Sequence, residues 1–350
     1  MEVKGSGILW AFAVIVAAST IVGCGSGASR QLSAPTSSST TAKIVPSGPA
    51  LGAWWDAQGK GLRVVSGVPG AAIESAPTYA NGAYVSASIC IRKNFALLMS
   101  ASGALDAATL PQGEPVTIAH VAAPNATISF SPSCNSVLVY TPAQTQALLI
   151  QGLPADAKTS NVALPAGTST AIVADSGALL TAALAQDGSI AVVAFSSNGM
   201  PQPVTMLSKF GGMAFQPEVD SAVLADAGAN IIIEASHVTG AINLAQIAAQ
   251  RDGVAQPVAV GTSLDGRWIA VANSKDGSIL RLDLSAQIAP SRTLCKCLPT
   301  KLEPLAGNFA FRINEPDTGT VWAFDGGAAS SRIVFLPASQ SVASAQGASR

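Results

Sequence analysis

The stretch SLDGRWIAVANSKDGSILRLD, residues Ser263–Asp283, decides the fold. Trp268 to Ala272 is a short apolar run, and Asp276-Gly277 follows it as a turn signal. Leu280, Leu282 and Leu284 then alternate with Arg281 and Asp283. Alternation of period two marks a half-buried strand, and Asp-Gly suits a type I′ turn because Gly takes positive φ without strain. The stretch reads as a β-hairpin preceded by a further turn, Ser263 to Gly266.

Weaker versions of this pattern recur. Positions equivalent to Ser263 are Ser131 in FSPSCNSVLVY, Ala174 in VADSGALLTAAL and Gln216 in FQPEVDSAVLAD, at successive intervals of 43, 42 and 47 residues. One period back lies Cys90 in ICIRKNFALLM, and one more reaches Ser47-Gly48-Pro49 before GAWWD; one period forward falls near Pro304. A second marker agrees: the central hairpin of a unit carries Gly59, Gly103, Gly188, Gly228, Gly277 or Gly319, and only the third unit lacks one, having Thr141 to Gln146 instead. Four strands of five or six residues with their turns fill such a unit. Repeats of this length bury their apolar faces by stacking radially, which leaves few open edges. The expectation is an all-β fold, a seven-bladed β-propeller of four-stranded antiparallel blades over residues 42–340. The stretch VTGAINLAQIAAQRDG lengthens the spacing between units five and six and reads as either a short helix or a longer outer strand.

Composition agrees. Hydrophobic residues make up 49% of the chain and charged ones 11%, which excludes a disordered chain and allows a large core. The 19 basic and 20 acidic residues leave a formal charge of −1, a balance that argues against nucleic acid or anionic lipid as the main partner, because such binding needs a concentrated positive face. The 32 Gly and 21 Pro punctuate short apolar runs, as a β-protein requires.

The sixth unit resembles the YVTN-type propeller repeat and the lactonase-like propellers, through Ser263, Asp265-Gly266, Ile269 to Asn273 and Ile279 to Asp283. The resemblance is partial in units two to five and poor in the first and seventh. It implies a fold; proteins sharing it do many different things.

The amino terminus gives an address. Lys4 precedes an uncharged apolar segment from Ile8 to Val22, the length of a signal peptide's central region. It ends in Ile21-Val22-Gly23-Cys24, which resembles the lipobox of bacterial lipoproteins. The resemblance implies a signal peptide over 1–23, diacylglycerol on Cys24 and cleavage before it. Gly25 stands where Asp would retain such a protein in the inner membrane, so in a diderm organism the outer membrane is expected. Residues 24–41, rich in Ser, Thr and Gly, read as a flexible tether, and 341–350 as a disordered tail.

Few residues suggest chemistry. His120 and His237 are the only histidines, 117 positions apart and without neighbours at ligand spacing. No metal or cofactor is expected, nor any catalytic residue. Asp56, Asp175, Asp265, Asp283 and Asp325 recur near turns and read as loop-tying groups. Trp54 and Trp55 are adjacent on one strand and cannot both face inwards, which makes the pair a candidate contact surface. Among the cysteines beyond Cys24, Cys90 and Cys134 hold near-equivalent places in consecutive units and form a candidate disulfide. Cys295 and Cys297 would need a turn to meet, because on a strand their Cβ atoms lie too far apart.

The functional reading is a membrane-anchored, non-enzymatic β-propeller lipoprotein of the envelope or periplasm that binds a protein or envelope polymer. The alternatives are a propeller enzyme of lactonase or lyase type acting on a small molecule in the central channel, and a purely structural envelope protein. Converging His, Arg and carboxylates in the channel would favour the enzyme; a lining of Ala, Ser and Gly would not.

Overall fold

The computed structural model describes residues 50–196, 199–316, 320–327 and 330–336. The leader, Cys24, the tether, the tail and Gly319 lie outside these residues. The chain divides into a short unit, Met1–Lys43, and a large one, Ile44–Arg350, whose fold follows.

Seven antiparallel sheets form a ring, the seven-bladed propeller expected from the repeat. Blades two to seven are each four strands in sequence order. Their first strands are Tyr84–Cys90, Thr127–Phe130, Thr168–Val173, Phe210–Phe215, Pro257–Thr262 and Glu303–Pro304. Blade one shows Ala50–Asp56, Gly61–Val68 and Ala71–Glu74. By its place in the repeat, Ala50–Asp56 matches the second strands of the other blades, and the unit's leading positions, before Ser47, fall outside the described residues.

The hairpin that decided the fold is present: Trp268–Asn273 pairs with Ser278–Asp283, Asn273 opposite Ser278 and Trp268 opposite Asp283. Gly277 takes φ 62° in its turn. In blade three, where the glycine is missing, Ala143 adopts φ 67° instead. The long spacing between units five and six resolves into the outer strand Asn243–Ala249, paired with Ile231–Ser236, followed by a single 3₁₀ turn at Gln250–Asp252.

The core is not one mass but seven apolar layers, one between each pair of neighbouring blades. Blades two and three share Phe95, Leu97, Val137 and Ile150. Blades six and seven share Trp268, Ile279, Phe311 and Phe324. The ring closes where Leu51, Trp54 and Val65 of blade one meet Leu305, Val321 and Leu336 of blade seven. Because both faces of a blade are covered, second strands read as unbroken apolar runs: Phe95 to Met99 are all buried. Outer strands meet water, and Lys158–Ala163 is almost wholly exposed. Blades five and six approach closely at Gly212, φ 118°, where a Cβ would stand 2.9 Å from the Ala259 Cα. Only glycine combines that dihedral with that contact. Among the described residues no helix is long and apolar enough to cross a membrane.

Candidate functional site

Strands around the axis bound a cavity of about 600 Å³. From blades two to six its wall is small or apolar apart from Arg92 of blade two, with Ser88, Ser129, Ile172, Ala214 and Gly261. Blades one and seven differ. Blade one contributes Trp54 and Trp55, and blade seven contributes Lys301, Glu303, Arg312 and Glu315.

Adjacent side chains on a strand point to opposite faces of the sheet. In a ring both faces are interfaces, so Trp54 packs towards blade seven and Trp55 towards blade two. Trp54 is 4% exposed; Trp55 is half-buried. Both border the cavity, and neither lies on the outer rim.

The charged corner is tightly organised. Lys301 Nζ lies 2.8 Å from Glu303 Oε2 and 2.9 Å from Glu315 Oε1. Arg312, itself buried, donates to Glu303 Oε2 and, at 2.9 Å, to the Asn314 carbonyl. Asn314 is held in turn by the Trp322 N–H at 2.8 Å and by its own bond to the Thr320 carbonyl at 3.0 Å. The Arg312 guanidinium carbon stands 5.8 Å from the Trp54 ring centroid, within cation–π range. Burial alone would push the Glu303 carboxyl up, but Arg312 and Lys301 together hold it below the usual range. It is therefore a fixed carboxylate. A general base needs a pKa near the working pH, and Glu303 is held in the opposite direction.

The turns that follow the first strands are bonded to one another. Arg92 donates to the Pro132 carbonyl. Ser133 N and Oγ donate to Asp175 Oδ1 at 2.8 and 2.6 Å, and Glu218 N reaches Asp175 Oδ2 at 3.5 Å. Asp265 and Asn308 exchange two bonds, 3.0 and 2.8 Å. Asp56 and Asp283 accept from Arg63 and Arg267, and Asp325 from Arg332. All five aspartates singled out in the sequence tie loops or strands.

His120 and His237 are exposed, and neither borders the cavity. Among the described residues no group of three His, Cys, Asp or Glu is placed to hold a metal ion. Cys90 and Cys134 are bonded at the cavity wall, Cα–Cα 6.2 Å, joining blade two to blade three. Cys295 and Cys297 are bonded as well, Cα–Cα 4.9 Å. The outer strand Ser291–Leu294 ends just before them and the chain bends at Lys296 and Cys297, which supplies the turn their pairing needs.

Sequence reasoning missed the charged corner. The signal was present: in a chain with few charges, Lys301, Glu303, Arg312, Glu315 and Asp317 crowd into the seventh unit, one of the two that fit the repeat poorly.

No protein-family model matches this sequence, and no curated protein is similar to it. Among solved structures, the chain is similar to a catalytically inactive virginiamycin B lyase from Staphylococcus aureus with quinupristin. There the TM-score is 0.52 at 11% identity, over 72% of this chain and 83% of that one. It is also similar to a functionally unknown protein from Desulfotomaculum acetoxidans, with a TM-score of 0.53 at 12% identity, over 82% of this chain and 94% of that one. At such identities the likeness establishes the propeller fold.

Proposed function

We propose that this chain is a lipid-anchored propeller of the cell envelope that binds an envelope component, a protein or a polymer, at its axial cavity. The apolar leader ending in Ile21-Val22-Gly23-Cys24 supports the anchor, and Gly25 supports the outer membrane in a diderm. The observation that carries the binding role is the state of the charged corner. Its carboxylates and cations are paired with one another beside the Trp54 indole, in a cavity that Trp55 also borders, which suits holding a ligand and not moving protons.

Retention by the detergent-extracted full chain tests this. An envelope component should co-purify with it, and Trp55→Ala should reduce its retention more than about tenfold, as expected for an aromatic anchor in a desolvated pocket. Failure of any component to co-purify, or retention unchanged by Trp55→Ala, would contradict it. The second reading, a lyase-type enzyme, draws on the presence of charge in the channel and on the fold it shares with a lyase. Turnover of a small molecule that disappears with Glu303→Gln would favour that reading.

A further inference from the structure

Between Asp283 and Glu303 the chain carries Arg292, Lys296 and Lys301 and no carboxylate. Arg292 is paired with Asp276 and Lys301 with Glu303. Lys296 is exposed and forms no ion pair among the described residues. It sits inside the Cys295–Cys297 bridge, flanked by Leu294 and Leu298, which are 66% and 62% exposed. Phe335, 56% exposed, lies on the outer strand Arg332–Leu336. Ser331, just before that strand, is bonded through its hydroxyl at 2.8 Å to that of Thr293 on Ser291–Leu294. The bridge and Trp322 pack into the layer between blades six and seven, so the loop has a firm base.

We propose that this Leu294-Cys295-Lys296-Cys297-Leu298 tip, with Phe335 on the neighbouring strand, is the surface by which the propeller rests on an anionic lipid bilayer. Exposed leucines around one unpaired lysine match the boundary between headgroups and acyl chains: the apolar groups sink and the ammonium reaches phosphate. A lysine at the centre of the patch is ill-suited to the core of a protein interface, where lysine is depleted. The absence of carboxylates over the whole stretch removes repulsion from an anionic surface.

The attachment point fits. The described chain begins at Ala50 in blade one, whose outer strand lies against that of blade seven, through Gly70 beside Val334. Residues 24–41 read from the sequence as the tether, and a coil of that length spans about 20–25 Å, which lets the propeller turn a face to the membrane that holds the anchor. The inference rests on the reading of Cys24 as that anchor.

The test uses the full chain as isolated from its cells, in phosphatidylcholine vesicles containing phosphatidylglycerol, with brominated acyl chains as quenchers. Tryptophan is introduced as Leu294→Trp or, as the control on blade four, Leu184→Trp, a position 63% exposed. Emission of the unsubstituted chain is subtracted. Leu294→Trp should shift to the blue and be quenched about twofold more strongly than Leu184→Trp, as expected for a side chain at the acyl boundary. A chain that floats with the vesicles yet shows equal quenching at the two positions overturns the tip and leaves the anchor standing. A chain that fails to float, with an unmodified amino terminus by mass spectrometry, overturns both.

Discussion

Asp175 shows how one short side chain can hold a ring together. It accepts hydrogen bonds from the backbone and hydroxyl of Ser133 in blade three and from the backbone of Glu218 in blade five. Burial would raise its pKa, yet these bonds outweigh it and hold the carboxyl below the usual carboxylate range. Asp175→Ala leaves the Ser133 donors without a partner and should cost about 1–3 kcal/mol in urea unfolding. The sign of the pH effect follows from linkage: a carboxyl with a lowered folded pKa adds stability that is complete above its unfolded value and drains as pH falls towards the folded one. Acid titration of stability should therefore be steeper below the ordinary carboxylate range in the unsubstituted chain than in Asp175→Asn. A parallel acid limb in the two proteins would show that the carboxylate has no such role.

Elements were legible wherever turn chemistry was local. Gly103, Gly188 and Gly277 mark tight turns at positive φ because glycine alone adopts it freely. The third unit's turn was legible at Thr141 to Gln146, but the left-handed backbone of Ala143 within it was not, since the hairpin around it imposes that conformation. The Trp54-Trp55 dipeptide was read as one side chain in and one out, which is right for a sheet with one wet face. Stacked blades have two dry faces, and the pair is sorted between two interfaces. Disulfide chemistry belongs at this scale too. The Cys90–Cys134 bridge closes a loop of 44 residues between consecutive blades. Cys90→Ser with Cys134→Ser should lower stability by about 2–4 kcal/mol, and reductant should bring the unsubstituted chain to the same midpoint. Free thiols at both positions in the protein as isolated from cells would contradict the pairing.

For the whole molecule, seven interblade layers give stability without a central core, and a cavity lies at the axis. Ring closure depends on Trp54 meeting Leu305 and Val321 of blade seven. Trp54→Ala should cost about 3–5 kcal/mol, because the cavity it leaves is walled by two sheets that cannot collapse together; a loss below 1 kcal/mol in urea unfolding would contradict closure at that layer. The period of the repeat made this architecture readable from the chain, whereas the charged corner was hidden. Lys301, Glu303, Arg312 and Glu315 are spread over 15 positions, and only strand pairing in blade seven brings them into contact. The axial site is tested most directly by a photo-crosslinking amino acid at position 55, compared with the same group at position 184, in the native envelope. A discrete crosslinked species is expected at 55 and none at 184. No species at 55, or the same species at both positions, would contradict it.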